Sequence, residues 1–192
     1  YRSGLAPEEN IRKAAFLPLE NPFRSTYQYQ SIMYSAGGLV CEKVGNASWE
    51  KLLRQEILDP LGMKDTVVLP PNENLSRGHF IGRFGFPEVK EPYVSAYTDP
   101  AGSVYSSAHD LANWLKFQVD PANQKYAKMD LTPQLLETQK PQVVNPLDGI
   151  NKLLHPFTAQ MSYGMGWVIQ DYRGTKLVSH AGAIDGFRTH IA

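Results

Sequence analysis

The sequence changes character near residue 163, and this change constrains the fold more than any other feature. Residues 163–172 and 175–180 are strand-like segments on either side of the turn dipeptide Arg173-Gly174, a pattern that predicts a β-hairpin. Residues 186–192 predict the start of a further strand. Because a few exposed strands are seldom stable alone, and helices and loops precede them, we predict an α+β protein whose antiparallel sheet is incomplete.

Helical patterns dominate the chain before that point. Apolar residues recur with one-sided spacing over residues 32–44, and Gly45-Asn46 supplies a stop signal at the C-terminal end. Ser48 is placed to cap a second helix, and Ser107 with Asp110 resembles a capping box for a third. Helices should therefore form the first part of the chain.

Proline, glycine and polar residues interrupt these helices in two long stretches. Residues 64–105 show no sustained periodicity and are predicted to form an ordered loop region, of the kind that usually lines a site. Residues 120–156 are similar, with one short helix predicted at 133–139. The predicted division is a helical and loop lobe over residues 1–160 and strands over 161–192, both parts of one domain.

Composition excludes several classes of protein. The 19 Lys plus Arg balance the 19 Asp plus Glu, so no charge argues for nucleic acid or a membrane surface as a partner. No apolar run approaches the length of a membrane span. A single cysteine, Cys41, rules out a disulfide framework within these residues, and we expect it to pack as a small core residue. His79, His109 and His155 lack ligand spacing, so we expect no metal and no cofactor.

Two short segments place reactive groups at the boundary of a predicted element. Tyr29 and Ser31 lie where the chain enters the first long helix, and a phenol there can act as general base if a nearby cation lowers its pKa. His180 ends a predicted strand, and Gly182 and Ala183 follow it, so a substrate carbonyl could reach the Ala183 N–H as an oxyanion donor. Taken alone, each segment is more typical of an ordinary packed tyrosine and of a polar surface or core histidine than of a catalytic site.

Together, and in this order, these segments resemble the serine β-lactamase-related family, which groups class C β-lactamases, low-molecular-weight penicillin-binding proteins, D-aminopeptidases and β-lactamase-like esterases. The resemblance covers nearly the whole chain, and each matching segment is unspecific by itself. The segments are residues 2–5, residues 23–34, Gly38, Pro60-Leu61-Gly62-Met63, Pro100-Ala101-Gly102-Ser103, residues 106–111, Tyr163-Gly164-Met165-Gly166-Trp167, and His180-Ala181-Gly182 with Gly186-Phe187.

The resemblance implies a serine acyl-transfer site of the β-lactamase/transpeptidase-like fold. In that family a serine of a Ser-x-x-Lys motif attacks an amide, lactam or ester carbonyl, and the lysine and a Tyr-x-Asn tyrosine handle its proton. Carried over, Tyr29 is the catalytic tyrosine, His180 and Gly182 form the substrate-binding strand, and the Ala183 N–H is an oxyanion donor. Ser31 stands where the family has asparagine, and His180 where class C enzymes have lysine.

The largest departure from the family is the nucleophile. Ser48-Trp49-Glu50-Lys51 is the one Ser-x-x-Lys in the sequence, but it lies downstream of Tyr29, whereas the nucleophile of the family lies upstream. An N-cap role also suffices for Ser48. We therefore expect that this chain is a partial domain without the nucleophile and its lysine, and that it is inactive by itself.

Two functions from different classes remain open at this level. The first is part of a serine hydrolase whose full-length form cleaves a small molecule or peptide through an acyl-enzyme. The second is a binding protein of the same fold that lacks the nucleophile and holds a peptide or cell-wall fragment; Ser31 in place of asparagine motivates it. The resemblance alone suggests a periplasmic or extracellular location, while the substrate and the oligomeric state stay undetermined.

Overall fold

The computed structural model describes residues 4–93, 97, 99–120 and 131–192. Within these residues the helices are α1 (Pro7–Ala14), α2 (Ser31–Gly45), α3 (Trp49–Leu53), α4 (Ala108–Val119), α5 (Thr132–Thr138) and α6 (Gly149–Leu154). The strands are β1 (Gly78–Ile81), β2 (Pro87–Lys90), β3 (Val143–Val144), β4 (Thr158–Tyr163), β5 (Val168–Tyr172), β6 (Thr175–Ile184) and β7 (Phe187–Ile191).

The strands form two antiparallel sheets. β1 pairs with β2 in a small hairpin, and the larger sheet has the order β3-β4-β5-β6-β7. Helices α1 to α5 precede this sheet and α6 lies between β3 and β4. The α+β class predicted from the sequence is confirmed, although the sheet begins at Val143, before residue 161.

The ends of α2 and α3 follow directly from the local sequence. Asn46 closes α2 in the left-handed conformation, with φ of 49°. The Ser48 hydroxyl accepts a hydrogen bond from the Lys51 N–H at 3.4 Å, so its predicted role as an N-cap is confirmed. The helix then continues as a π-helical turn over Arg54–Leu58.

A hydrophobic cluster forms where this turn meets α4. Leu58, Leu61 and Met63 are buried, which explains why the Pro-Leu-Gly-Met turn carries large apolar side chains. The partly buried residues packed against them come from α3, the π-helical turn and α4: Leu53, Ile57, Trp114 and Phe117.

Asp110 ties α4 to the segment that follows this cluster. As predicted, Ser107 caps α4: its hydroxyl accepts from the Asp110 N–H at 3.2 Å. The Asp110 carboxylate, which is 1% exposed, turns to another part of the chain and accepts from the Asp65 N–H at 2.9 Å and the Thr66 hydroxyl at 2.7 Å. Of the two hydrogen bonds of a capping box, only the one accepted by the serine hydroxyl is seen, and the Asp110 carboxylate instead links α4 to residues 65 and 66.

Helix α2 is docked against the loop that contains Pro100. The Ser35 hydroxyl donates to the Asp99 carboxylate at 2.8 Å. One turn further along, buried Gly38 lies so close to the Pro100 ring that a Cβ at this position would overlap the Pro100 Cγ atom. A small residue is needed here because the loop packs directly on the helix backbone.

Three sequence-based expectations need correction. Residues 64–105 are not loop alone, since β1 and β2 form within them. Residues 163–172 are not one strand: β4 ends at Tyr163, and Gly164 and Gly166 let the chain turn before β5 begins. Cys41 is exposed and not part of a core, because apolar spacing identifies one face of a helix but not what covers it.

Candidate active site

The candidate site lies at the edge of β6. β5 pairs with β6 only as far as Ser179, which lies opposite Val168. β7 pairs with the following residues, 180–184. The backbone of residues 180–184 therefore has β7 on one side, while no described strand pairs with its other side. An unpaired edge can offer N–H groups to a ligand.

The two hairpins at the ends of β6 set which N–H groups point to the open side. Arg173-Gly174 (φ 53° and 80°) and Asp185-Gly186 (φ 46° and 80°) are two-residue turns of type I′. Because the residues flanking such a turn hydrogen-bond to each other, Thr175 faces β5 and Ile184 faces β7. Strand alternation then directs the N–H of Ala183 toward the open side, the direction that an oxyanion donor requires.

Gly182 and His180 share one face of β6, since they are two residues apart. Gly182 lies opposite Thr189 of β7, and a Cβ there would overlap the Thr189 hydroxyl oxygen. The turn between β6 and β7 is also held by β1, because the His79 N–H donates a hydrogen bond to the Gly186 carbonyl at 3.1 Å. The hairpin β1–β2 thus supports the strand that carries the site.

The extended segment before α2 brings Tyr29 to this strand. The Tyr29 ring centroid lies 6.1 Å from that of His180 and 6.1 Å from that of Tyr163. Tyr27, two residues earlier, packs at 5.3 Å on the Tyr163 ring. Tyr29 is 54% exposed and Tyr163 only 7%. The two predicted catalytic side chains are therefore neighbours, with Tyr163 beneath them.

Two tyrosine rings, those of Tyr29 and Tyr163, lie against the His180 ring. The Tyr163 hydroxyl and His180 Nε2 lie 3.1 Å apart, within hydrogen-bond distance. Burial raises the pKa of Tyr163, and a hydrogen bond with Tyr34 and the neighbouring tyrosines raise it further. Burial is also the main cause of the raised pKa of Tyr27, followed by Tyr29 and Tyr34. Tyr163 and Tyr27 therefore stay protonated near neutral pH.

The two serines singled out from the sequence take different positions. Ser31 is the first residue of α2 and is exposed, two residues after Tyr29. Ser48 lies at the other end of the same helix and is occupied as the N-cap of α3. Ser48 is therefore accounted for by its role as a cap, while Ser31 lies close to Tyr29 in the sequence.

The motifs of the sequence predicted no role for Tyr163, although Tyr163-Gly164-Met165-Gly166-Trp167 is one of the segments that resemble the family. The contact of Tyr163 with His180 depends on the register of the sheet. Tyr163 lies opposite Val168, and Val168 lies opposite Ser179, the residue before His180. This pairing brings Tyr163 close to His180 across one intervening strand, which no local pattern shows.

Metal-ligand groups and helix lengths in the described residues bear on the kind of site. None of the groups of His, Cys, Asp or Glu among them has three or more members placed to hold a metal ion. In the same part of the chain, every helix is too short or too polar to cross a membrane.

An α+β chain that joins a tyrosine-bearing loop to a histidine strand at an open sheet edge fits the fold implied by the motif order. The model of the Beta-lactamase family matches residues 1–192, and the chain belongs to this family of β-lactamase-like hydrolases. The resemblance inferred from the motifs is thereby confirmed, and so is the β-lactamase/transpeptidase-like fold.

Solved structures of the same fold come from distant organisms. The octameric penicillin-binding protein homologue of Pyrococcus abyssi superposes with a TM-score of 0.80 at 22% identity, covering 99% of this chain and 41% of that one. The D-amino acid amidase of Ochrobactrum anthropi SV3, crystallised with L-phenylalanine amide, gives a TM-score of 0.67 at 20% identity, covering 97% and 51%. At these identities the likeness shows the fold alone.

Curated relatives are similar in sequence but longer. The unguisins hydrolase ungD of Aspergillus violaceofuscus is 26% identical over 202 residues, covering 96% of this chain and 35% of the relative. Protein flp of Staphylococcus aureus (strain MRSA252) is 26% identical over 168 residues, covering 86% and 30%. The chain thus spans about a third of the length of these relatives.

Proposed function

We propose that this chain supplies the tyrosine and the substrate-binding strand of a serine acyl-transfer site, and that the full-length protein hydrolyses an amide, lactam or ester. The observation that supports this most strongly is the contact of Tyr29 with His180 beside the open edge of β6. Family membership of the whole chain supports the same chemistry.

The roles divide by position. Tyr29 is exposed, so its hydroxyl is accessible to take the proton of an attacking serine, with the lysine that the family resemblance implies as its partner. The Ala183 N–H, which points to the open edge, stabilises the negative charge that develops on the carbonyl oxygen when the serine attacks the carbonyl carbon. Gly182 keeps the strand free of a side chain that would collide with Thr189.

The substrate class follows from two residues. A lysine presents an ammonium group with three donors, whereas His180 presents an imidazole with at most two ring N–H groups, so we expect His180 to bind a substrate carboxylate more weakly than a lysine would. Ser31 offers one hydroxyl, whereas a carboxamide presents a donor and an acceptor on separate arms. The second difference favours ester substrates over amides that need a bidentate partner.

The test is a hydrolysis panel with the full-length protein. We expect a p-nitrophenyl ester to be cleaved faster than nitrocefin or a D-amino acid anilide. His180→Ala should lower kcat/KM for the ester by roughly two- to tenfold, the loss of one hydrogen bond to the substrate. His190→Ala is the matched control, because His190 lies opposite Ala181 on the other face of the same strand pair. Equal losses in both variants would remove His180 from the site.

A binding protein without catalysis is the second candidate. Its support is Ser31 in place of asparagine. The gene sequence upstream of the Tyr1 codon distinguishes the two candidates. An in-frame Ser-x-x-Lys there supports the hydrolase, and its absence supports the binding protein. Retained affinity for an acylated D-amino peptide without turnover would point the same way.

A further inference from the structure

We propose that Tyr163 is a positioning residue for His180: its hydroxyl accepts a hydrogen bond from Nε2–H and holds the imidazole in one tautomer. Nδ1 is then the ring nitrogen that faces the substrate. The inference deepens the proposed function, since it rests on His180 being a substrate-binding group.

Packing makes Tyr163 a rigid partner. It is the last residue of β4 and is 7% exposed. The Tyr27 ring packs on it at 5.3 Å and the Tyr29 ring meets it edge-on at 6.1 Å. A phenol enclosed in this way has little rotational freedom, so the 3.1 Å approach of its oxygen to His180 Nε2 fixes the orientation of the imidazole.

The direction of the hydrogen bond is part of the proposal, and it depends on where the Tyr163 proton points. A phenol has one proton to donate, and Tyr163 also shares a hydrogen bond with Tyr34. If that proton points to the Tyr34 oxygen, only lone pairs of Tyr163 remain for His180, and the imidazole must donate from Nε2. The raised pKa of Tyr163 agrees with a phenol that keeps its proton in such a bond.

The histidine tautomer is measured directly by NMR on protein labelled with 15N-histidine, at a pH where the ring is neutral. We expect His180 to be predominantly the Nε2–H tautomer. Tyr163→Phe should lower the ratio of Nε2–H to Nδ1–H by roughly two- to tenfold, the range for one hydrogen bond. Tyr27→Phe is the matched control, because Tyr27 packs on the same ring without a hydrogen bond to His180, and it should leave the ratio unchanged.

A second variant covers the case in which Tyr163→Phe fails to fold. Tyr34→Phe removes the oxygen that accepts the Tyr163 proton. Tyr34 is 38% exposed, so this substitution should disturb folding less than Tyr163→Phe. The freed proton can then donate to Nε2, so the same ratio should fall. The proposal is overturned by a dominant Nδ1–H tautomer in the unsubstituted protein, or by a ratio that neither variant changes.

The NMR result does not depend on turnover. A protein in which the tautomer responds to Tyr163→Phe but hydrolysis is insensitive to His180→Ala keeps the positioning contact and loses the proposed function. The opposite pair of results keeps the function and removes Tyr163 from it.

Discussion

Helix α2 contains two adjacent glycines that should respond in opposite ways to the same substitution. Gly37 is exposed, and a Cβ added there would meet nothing within 4 Å. Gly38 is buried, and a Cβ there would overlap the Pro100 Cγ and lie 3.2 Å from its Cβ. The substitutions Gly37→Ala and Gly38→Ala are therefore matched in chemistry and helix position, and differ in the contact with Pro100.

The magnitudes follow from two opposing effects. Replacing glycine with alanine in a helix interior stabilises by about 0.5–1 kcal/mol through backbone entropy. Overpacking a tight contact costs about 1–3 kcal/mol, and the Pro100 ring cannot swing aside like a flexible side chain. Gly37→Ala should therefore be neutral or stabilising, and Gly38→Ala should be less stable than Gly37→Ala by about 1–3 kcal/mol.

Urea unfolding followed by tryptophan fluorescence measures both variants. We expect the Gly38→Ala midpoint to fall below that of the unsubstituted protein. In a Pro100→Ala background the cost of Gly38→Ala should largely disappear, which a double-mutant cycle detects. If Gly38→Ala were as stable as Gly37→Ala, the loop containing Pro100 would not pack on α2 as described.

Two further predictions concern buried groups. Asp110→Ala leaves the Asp65 N–H and the Thr66 hydroxyl without their acceptor, so the free energy of unfolding should fall by about 2–5 kcal/mol. The cap variant Ser107→Ala should lose about 1 kcal/mol. Comparable losses in both variants, measured by urea unfolding, would contradict a tertiary role for the carboxylate. Because the pKa of Tyr163 is raised above its ordinary 10.0 in the folded state, its contribution is fully present below pH 10 and is lost as pH rises further, at most about 1.4 kcal/mol per pH unit. In an alkaline unfolding titration Tyr163→Phe should show a shallower loss, and an identical slope would refute a buried neutral phenol.

Local signals predicted the parts of the fold that neighbouring residues determine. Asn46 and Ser48 end one helix and begin the next, as their side chains and conformational preferences indicate. The turn Arg173-Gly174 correctly marks the hairpin between β5 and β6. In each case the physics acts within a few residues, so sequence spacing was sufficient.

Distant contacts determine the parts that sequence patterns missed. The hairpin β1–β2 is short and largely exposed, and it is held by the contact of His79 with Gly186 far along the chain. The break after Tyr163 is stabilised by the Met165 N–H, which donates to the Thr138 carbonyl at 3.0 Å. Neither contact leaves a mark in the spacing of apolar residues.

The candidate site shows the same division. Motif order singled out Tyr29 and His180, and the structure places them side by side. Tyr163 was missed because its approach to His180 depends on the register across β5. The direction of the Ala183 N–H likewise depends on both turns at the ends of β6.

The most direct test of the account is the effect of Tyr29→Phe on kcat/KM of the full-length protein for its best ester substrate. Tyr172→Phe is the control, since Tyr172 lies at the far end of β5 and packs against Phe157. We predict that Tyr29→Phe lowers kcat/KM by at least roughly 100-fold, as the loss of a general base should, while Tyr172→Phe stays within about twofold. A Tyr29→Phe protein as active as the Tyr172→Phe protein would contradict the assignment of this cleft as the active site.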